Sequence, residues 1–191
     1  MPKRDPRATR NNILAAAVQM FSEVGAEGAR IDAIAKRAGA NKRMIYHYFG
    51  DKAALFEAVV QARLEARPWS ARSAPDSTDA RLMAWEGLQV GAGAVGVARQ
   101  RALIVMRKEL EDRQQRGLLP TSLNVRQLAL VLLSARLLPY ICPQYVRFVG
   151  VELDQLETGQ ASFLVELLDA LKPDTGTVGK PRVKLKPRIR G

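Results

Sequence analysis

Apolar residues recur every three or four positions along most of the chain, which is the spacing of an amphipathic helix. No alternating run rich in Val, Ile or Thr, as a strand would show, appears before residue 173. The pattern therefore predicts an all-α protein. The first helix is expected to begin at Thr9, as its N-cap, and to continue to Val24, with Gly25 ending it.

Three short helices are expected next, over residues 31–38, 41–49 and 52–67. Gly39 supplies the turn between the first two, Asn41 is the N-cap of the second, and Pro68 stops the third. The segment 68–79 is rich in Pro, Ser, Ala and Asp, which favours a connection between two domains. Four further helices are predicted after it, over residues 78–90, 97–116, 124–140 and 154–171.

The net charge of +11 is unevenly distributed along the chain. Residues 1–67 and 173–191 each carry a net charge of +5, whereas residues 68–172 carry only +1. A basic beginning and a basic tail around a nearly neutral body suggest that the two ends meet a polyanion such as nucleic acid, with plain solvation of a basic surface as the alternative. The basic tail is expected to be disordered, with a DNA-phosphate arm and a membrane-surface patch as the alternatives.

The cysteine and histidine content narrows the possible chemistry. Cys142 is the only cysteine, which excludes an internal disulfide and a Cys-based zinc cluster. Two roles are left for this thiol: it is inert, or it senses oxidants. His47 is the only histidine and lies in a basic segment, so we do not expect an enzyme. No cofactor or metal is predicted.

The beginning of the chain and its apolar stretches predict a cytoplasmic protein without membrane contact. Residues 1–10 are charged, and no apolar signal-peptide core follows them. The longest apolar stretch, residues 128–138, is too short to cross a bilayer and contains Arg136.

Residues 31–49 have the spacing of a helix-turn-helix. Ala35 falls where the two helices would cross, Gly39 at the turn, and Ile45 where the second helix packs on the first. The opposite face of the second helix then carries Lys42, Arg43, Met44, Tyr46 and His47. These donors and contact groups suit a major groove.

The expected roles differ along this helix. Lys42 and Arg43, near its beginning, can reach base edges, and Arg43 can make a forked contact with guanine. Tyr46, His47 and Lys52 have the reach and the donors for phosphate contacts.

Residues 9–60 resemble the DNA-binding domain of the tetracycline repressor (TetR) family of bacterial regulators. The features that carry the resemblance are Phe21-Ser-Glu-Val-Gly25, Ile34-Ala35 with Ala38-Gly39, Tyr46-His-Tyr-Phe49, Asp51-Lys52 and Leu55-Phe56. The chain departs from the family pattern where Ala29-Arg30 replaces a capping Ser or Thr, and where Asn41 and Arg43 replace the commoner Ser and Gly. We therefore expect Arg30, Asn41 and Arg43 to set an altered operator preference.

The resemblance implies a homodimeric repressor that binds a palindromic operator on double-stranded DNA and is released by a small-molecule effector. It also implies that residues 1–67 are the helix-turn-helix DNA-binding domain and residues 68–172 a helical domain for ligand binding and dimerisation. The implied dimer interface comprises Leu128, Leu132, Phe163, Leu164, Leu167 and Leu168. The candidate effector pocket comprises Met83, Trp85, Leu88, Met106 and Leu110, which would serve equally well as core.

A second hypothesis rests on Gly91-Ala-Gly-Ala-Val-Gly96, which matches the G-x-G-x-x-G fingerprint of dinucleotide-binding sites. It would make the chain a helical nucleotide-binding enzyme or sensor. The segment before it has helical rather than strand spacing, which favours a helix junction. A purely structural dimer is the third alternative.

Overall fold

The computed structural model describes residues 5–70, 76–88, 96–151 and 153–173, and every regular element in these ranges is a helix. The predicted all-α class is confirmed. The helices are α1 (Pro6–Gly28), α2 (Ile31–Arg37), α3 (Lys42–Phe49), α4 (Lys52–Ala66), α5 (Ser77–Leu88), α6 (Val97–Gln115), α7 (Val125–Ile141), α8 (Pro143–Phe148) and α9 (Leu153–Ala170). Over the same ranges, no helix is long and apolar enough to cross a membrane. The predicted basic tail lies outside the described residues from position 174 onward.

Helix α1 begins earlier than predicted, because Asp5 rather than Thr9 is its N-cap. The Asp5 carboxylate accepts the Arg7 N–H at 2.9 Å, and Pro6 occupies the first helical position. The Thr9 hydroxyl instead donates to the Asp5 carbonyl oxygen from within the first turn. Regular helix does break at Gly25, as expected, but one more helical turn follows to Gly28.

The helix-turn-helix has the predicted local geometry. Gly39 occupies the turn with φ +60°, a conformation that glycine adopts without steric cost. Asn41 caps α3, because its side-chain oxygen accepts the Met44 N–H at 2.9 Å. Asp51 caps α4 in the same way through the Ala54 N–H at 2.7 Å. These caps fix where the two helices begin.

The N-terminal core is formed by α1 to α4 together with one residue from beyond the expected boundary. Its buried apolar members include Ile13, Ala17, Phe21, Ile34, Ala35, Ile45, Leu55, Val59 and Leu82. Leu82 belongs to α5, which packs against α1. Trp69, inside the expected connection, is also buried and lies beneath the Arg99 guanidinium. Described residues on the two sides of the expected boundary therefore pack against each other.

An ion cluster fastens the end of α4 to the beginning of α5. The Arg63 guanidinium donates to Asp79 at 2.7 Å and also to Asp76, and Arg67 pairs with Asp76 at 3.4 Å. Burial raises the pKa of Asp76, but the Asp79 N–H and the Arg63 charge outweigh burial and hold that pKa below its ordinary 3.8. The Asp76 carboxylate therefore remains charged and paired at neutral pH.

We expect Asp79→Ala to lower the free energy of unfolding by about 2 kcal/mol, because it leaves the partly buried Arg63 without one of its two carboxylate partners. Urea denaturation at neutral pH measures the change. The control is Glu111→Ala, which removes an exposed i,i+4 pair with Arg107 and should cost only about 0.5 kcal/mol or less. Equal losses in the two variants would contradict a special role for the cluster.

A second core lies between α6, α7 and α9. It contains Leu110, Leu119, Val125, Leu128, Leu132, Leu164 and Leu168. The proline-rich turn after α7 holds a helix that the sequence did not predict, because Pro139 is accommodated inside α7 and Pro143 begins α8. Proline is favourable at a first helical position, where no N–H partner is required.

Candidate DNA-binding interface

Helix α3 separates a buried face from an exposed polar face. Ile45 and Phe49 are buried against the N-terminal core. The side chains of Lys42, Arg43, Tyr46 and His47 are exposed to solvent. The predicted division of this helix into a packing face and a contact face therefore holds for these residues, although their contacts with DNA remain a prediction.

The charges at the beginning of α3 are not equivalent. The Lys42 ammonium pairs with Asp32 of α2 at 3.2 Å, so part of its charge is neutralised on the same surface. Asn41 has committed its side-chain oxygen to the cap, which leaves its amide N–H groups as donors. Among the described residues Arg43 has no ion-pair partner, and its fork is available for a base edge or a phosphate. Arg30 is also exposed, one residue before α2.

Two predicted contact residues have different environments in the structure. Met44 is half-buried against the N-terminal core, one turn before Tyr48, so only part of its side chain is left to face a groove. Lys52 is also half-buried, and its ammonium donates to the carbonyl oxygens of Glu27 at 3.3 Å and Ala29 at 3.5 Å. These carbonyls belong to the end of α1, where backbone acceptors lack helical partners. Lys52 therefore fastens α4 to α1.

Two arginines near this surface were not predicted. The Arg10 guanidinium lies over the Phe49 ring, 5.1 Å from its centroid, and adds positive charge at the end of α3. Arg37, at the end of α2, pairs with Glu23 of α1 at 3.1 Å. The sequence identifies both as basic, but the contact of Arg10 with α3 and that of Arg37 with α1 depend on how α1 packs against the motif.

The described structure gives the five predicted effector-pocket residues different surroundings. Met83 is half-buried, Trp85 packs on Gly25 of α1, and Leu88 is exposed at the end of α5. Leu110 belongs to the C-terminal core, whereas Met106 lines a cavity of about 280 Å³ between α6 and α7. Helical spacing identified apolar positions but did not distinguish pocket wall from core.

The predicted dimer interface is corrected in a similar way. Leu128, Leu132, Leu164 and Leu168 are buried in the core of a single chain, and Leu167 is half-buried against that core. Of the predicted set, Phe163 is exposed, at 56%. The apolar side chains that α7 exposes are Leu130, Val131, Leu138 and Ile141. Both faces of α7 are leucine-rich, and the face that was predicted to dimerise is buried in the core of its own chain.

The glycine fingerprint falls outside the described residues except for Gly96, the N-cap of α6. Two carboxylates already occupy the beginning of that helix. Glu86 accepts the Gly96 N–H at 3.4 Å, and Glu57 of α4 accepts the Ala98 N–H at 2.8 Å. An incoming phosphate would meet both negative charges, which argues against a nucleotide site here.

Comparisons with known proteins agree with this geometry. Residues 13–59 match the family model described as bacterial regulatory proteins, tetR family. The chain is 31% identical over 167 residues to the HTH-type transcriptional repressor SCO4008 of Streptomyces coelicolor, covering 78% of this chain and 87% of the repressor. The chain belongs to the tetR family of bacterial regulatory proteins. The resemblance drawn from residues 9–60 is thereby confirmed.

Of two further matches, one covers only the DNA-binding region and the other covers most of the fold. The HTH-type transcriptional repressor NicS of Pseudomonas putida is 53% identical over 53 residues, which are 28% of this chain and 25% of NicS. The crystal structure of the transcriptional regulator SCO4942 from Streptomyces coelicolor superposes with a TM-score of 0.64 at 24% identity, covering 86% of this chain and 99% of that one. This tetR-family chain is accordingly a DNA-binding transcriptional regulator rather than an enzyme.

Proposed function

We propose that two copies of this chain bind a palindromic operator and that a small molecule, held by the C-terminal helices, releases them from it. The observation that carries the proposal is the presence of two unpartnered surfaces in one chain. One is the polar face of α3, and the other is the exposed apolar face of α7. The first suits a DNA groove, and the second suits another copy of itself.

The DNA contact proposed here places the beginning of α3 in the major groove. Arg43 reads a guanine through its fork, and Lys42 reaches a base edge after leaving Asp32. Tyr46 and His47 contact phosphates from the next turn. Arg30 and Asn41 lie beside this end of the helix and complete the contact surface.

The dimer contact proposed here uses a stripe along α7. Val131, Leu138 and Ile141 recur at the spacing of one helical face, and Leu130 lies beside them. Phe163 adds an exposed ring from α9, a helix that packs against α7. A two-fold axis would pair this surface with its own copy and position two α3 helices for two half-sites.

The link between the two functions is the contact of α4 with α6. Glu57 of α4 accepts the Ala98 N–H at the first turn of α6. A ligand that moves α6 therefore also acts on α4, whose beginning follows α3 directly. Such a ligand releases DNA only if it binds the two arrangements with different affinity. The proposed division at residue 68 is thus functional, with DNA contact before it and ligand binding and dimerisation after it.

Titration with DNA from the chain's own promoter region tests the proposal. We expect a sequence-preferring complex whose affinity falls steeply with salt, and a footprint with two-fold symmetry. A screen of metabolites by thermal shift, followed by the same DNA titration, identifies a releasing ligand. Binding without sequence preference, or a footprint of one half-site only, would contradict the dimeric operator complex.

We expect Arg43→Ala to relax base preference at one position of each half-site, with a loss of about 1–3 kcal/mol for the preferred operator. The physical reason is that a forked donor to guanine is removed while the phosphate contacts remain. A binding-site selection with randomised operators measures the effect. Arg116→Ala, just after α6, is the matched control and should change neither affinity nor preference. A uniform loss across all sequences would assign Arg43 to the phosphate backbone instead.

A further inference from the structure

Arg136 is an unusual residue for the interior of the C-terminal domain. It lies on α7 with only 3% of its surface exposed. One terminal nitrogen donates to the Ser70 carbonyl oxygen at 2.8 Å, and the other donates to the Met106 sulfur at 3.0 Å. Both acceptors are neutral, and the Nε–H has no hydrogen-bond partner among the described residues.

The charge of Arg136 is therefore poorly compensated. In the described part of the chain no carboxylate forms an ion pair with it, and the acidic group that stabilises its charge, at longer range, is Glu109. Burial lowers the pKa of Arg136 to about 10, and Glu109 offsets only part of that effect. The guanidinium remains a cation at neutral pH. Buried cations in proteins are normally paired with an anion.

A cavity lies on the far side of Met106 from this guanidinium. Met106, which touches Arg136 through its sulfur, also lines the cavity of about 280 Å³ between α6 and α7. The other apolar walls are Leu103, Ile104, Ala129, Leu130 and Leu133. Arg107 and Arg126 also line it, and Arg107 is paired with Glu111. Methionine is flexible, so a rotation of Met106 would open Arg136 to the cavity.

We propose that this cavity takes an organic anion, an apolar body with one carboxylate, and that Arg136 pairs with the carboxylate once Met106 has moved aside. The inference rests on the proposed ligand response and names the chemical class of the ligand. The apolar walls accommodate the body of the ligand. The guanidinium supplies a forked partner for a carboxylate, and a neutral molecule would leave the charge of Arg136 as unpaired as before.

The test compares a carboxylate with its neutral isostere. Octanoate and octanamide are titrated into the full-length protein by calorimetry at neutral pH, with no DNA present. We expect octanoate to bind at least about tenfold more tightly, which is the gain typical of a charge-assisted pair. In Arg136→Met, which keeps an unbranched apolar side chain of similar reach, this preference should vanish. In Arg116→Met, the control at an exposed arginine outside the cavity lining, the preference should persist.

Several results would overturn the proposal. One is octanamide binding as tightly as octanoate, and another is the absence of any binding by octanoate. A third is a carboxylate preference that survives Arg136→Met. If Arg136→Met does not fold, Arg136→Lys replaces it, because lysine keeps the charge but lacks the two-pronged guanidinium, and this variant should bind octanoate more weakly than the wild type does. The comparison of octanoate with octanamide on the wild-type protein tests the proposal without any variant.

DNA binding is measured on the same preparations, which separates this inference from the proposed function. Octanoate that binds through Arg136 without releasing operator DNA would support the anion site and count against the ligand response in this cavity. Release of DNA by a neutral compound, with no binding of octanoate, would overturn the anion site and leave the proposed function intact.

Discussion

Leu138→Glu is expected to separate the proposed dimer into monomers and to weaken operator binding by about a thousandfold. Leu138 is 51% exposed on the stripe of α7 that we propose as the dimer contact. A carboxylate there would be desolvated, and two-fold symmetry would place two such charges in one interface, at a cost of about 4 kcal/mol. A single α3 would then contact one half-site without the help of the second.

Light scattering coupled to size-exclusion chromatography measures the mass, and a DNA titration measures the affinity. The matched control is Val105→Glu on α6, because this valine is 55% exposed, about as much as Leu138. This variant should remain dimeric, because α6 contributes nothing to the proposed stripe. A Leu138→Glu protein that remains dimeric and binds the operator normally would move the interface elsewhere, with α8 and its exposed Phe148 as the next candidate.

Gly25→Ala is expected to lower the free energy of unfolding by about 3 kcal/mol. Gly25 has φ +74° and ψ 173°, a conformation nearly restricted to glycine. A Cβ at this position would also lie 2.9 Å from Trp85 Cδ2, inside ordinary contact distance. The substitution therefore strains the backbone and pushes α5 away from α1.

Urea denaturation followed by tryptophan fluorescence measures this loss. A Trp85→Ala background removes the clash, so that Gly25→Ala in that background should cost only the backbone strain, about 1–2 kcal/mol. Gly28→Ala is the control within the same helix, because its Cβ would meet only Val24 at 3.3 Å, and it should remain within about 1 kcal/mol of the wild type. Equal effects of Gly25→Ala and Gly28→Ala would contradict the proposed strain.

The DNA-binding motif was the most predictable part of the chain, because its signals are local. Asn41 and Asp51 each cap a helix through an N–H three residues away, and Gly39 adopts the positive φ that the turn between α2 and α3 requires. Such contacts depend on sequence neighbours alone. The error at Thr9 has the same origin, because Asp5 and Pro6 were a stronger start signal four residues earlier.

The sequence by itself determined the helical class, the frame of the helix-turn-helix and the exposed basic residues of α3. Only the tertiary structure decided which leucines of α7 are core, that Lys52 fastens α4 to α1, and that Arg136 is buried near a cavity. The physical reason is that helical periodicity reports the distance between residues along one helix. Burial and charge compensation depend on which helices pack together, and residues distant in sequence, such as Ser70 and Met106 around Arg136, supply those contacts.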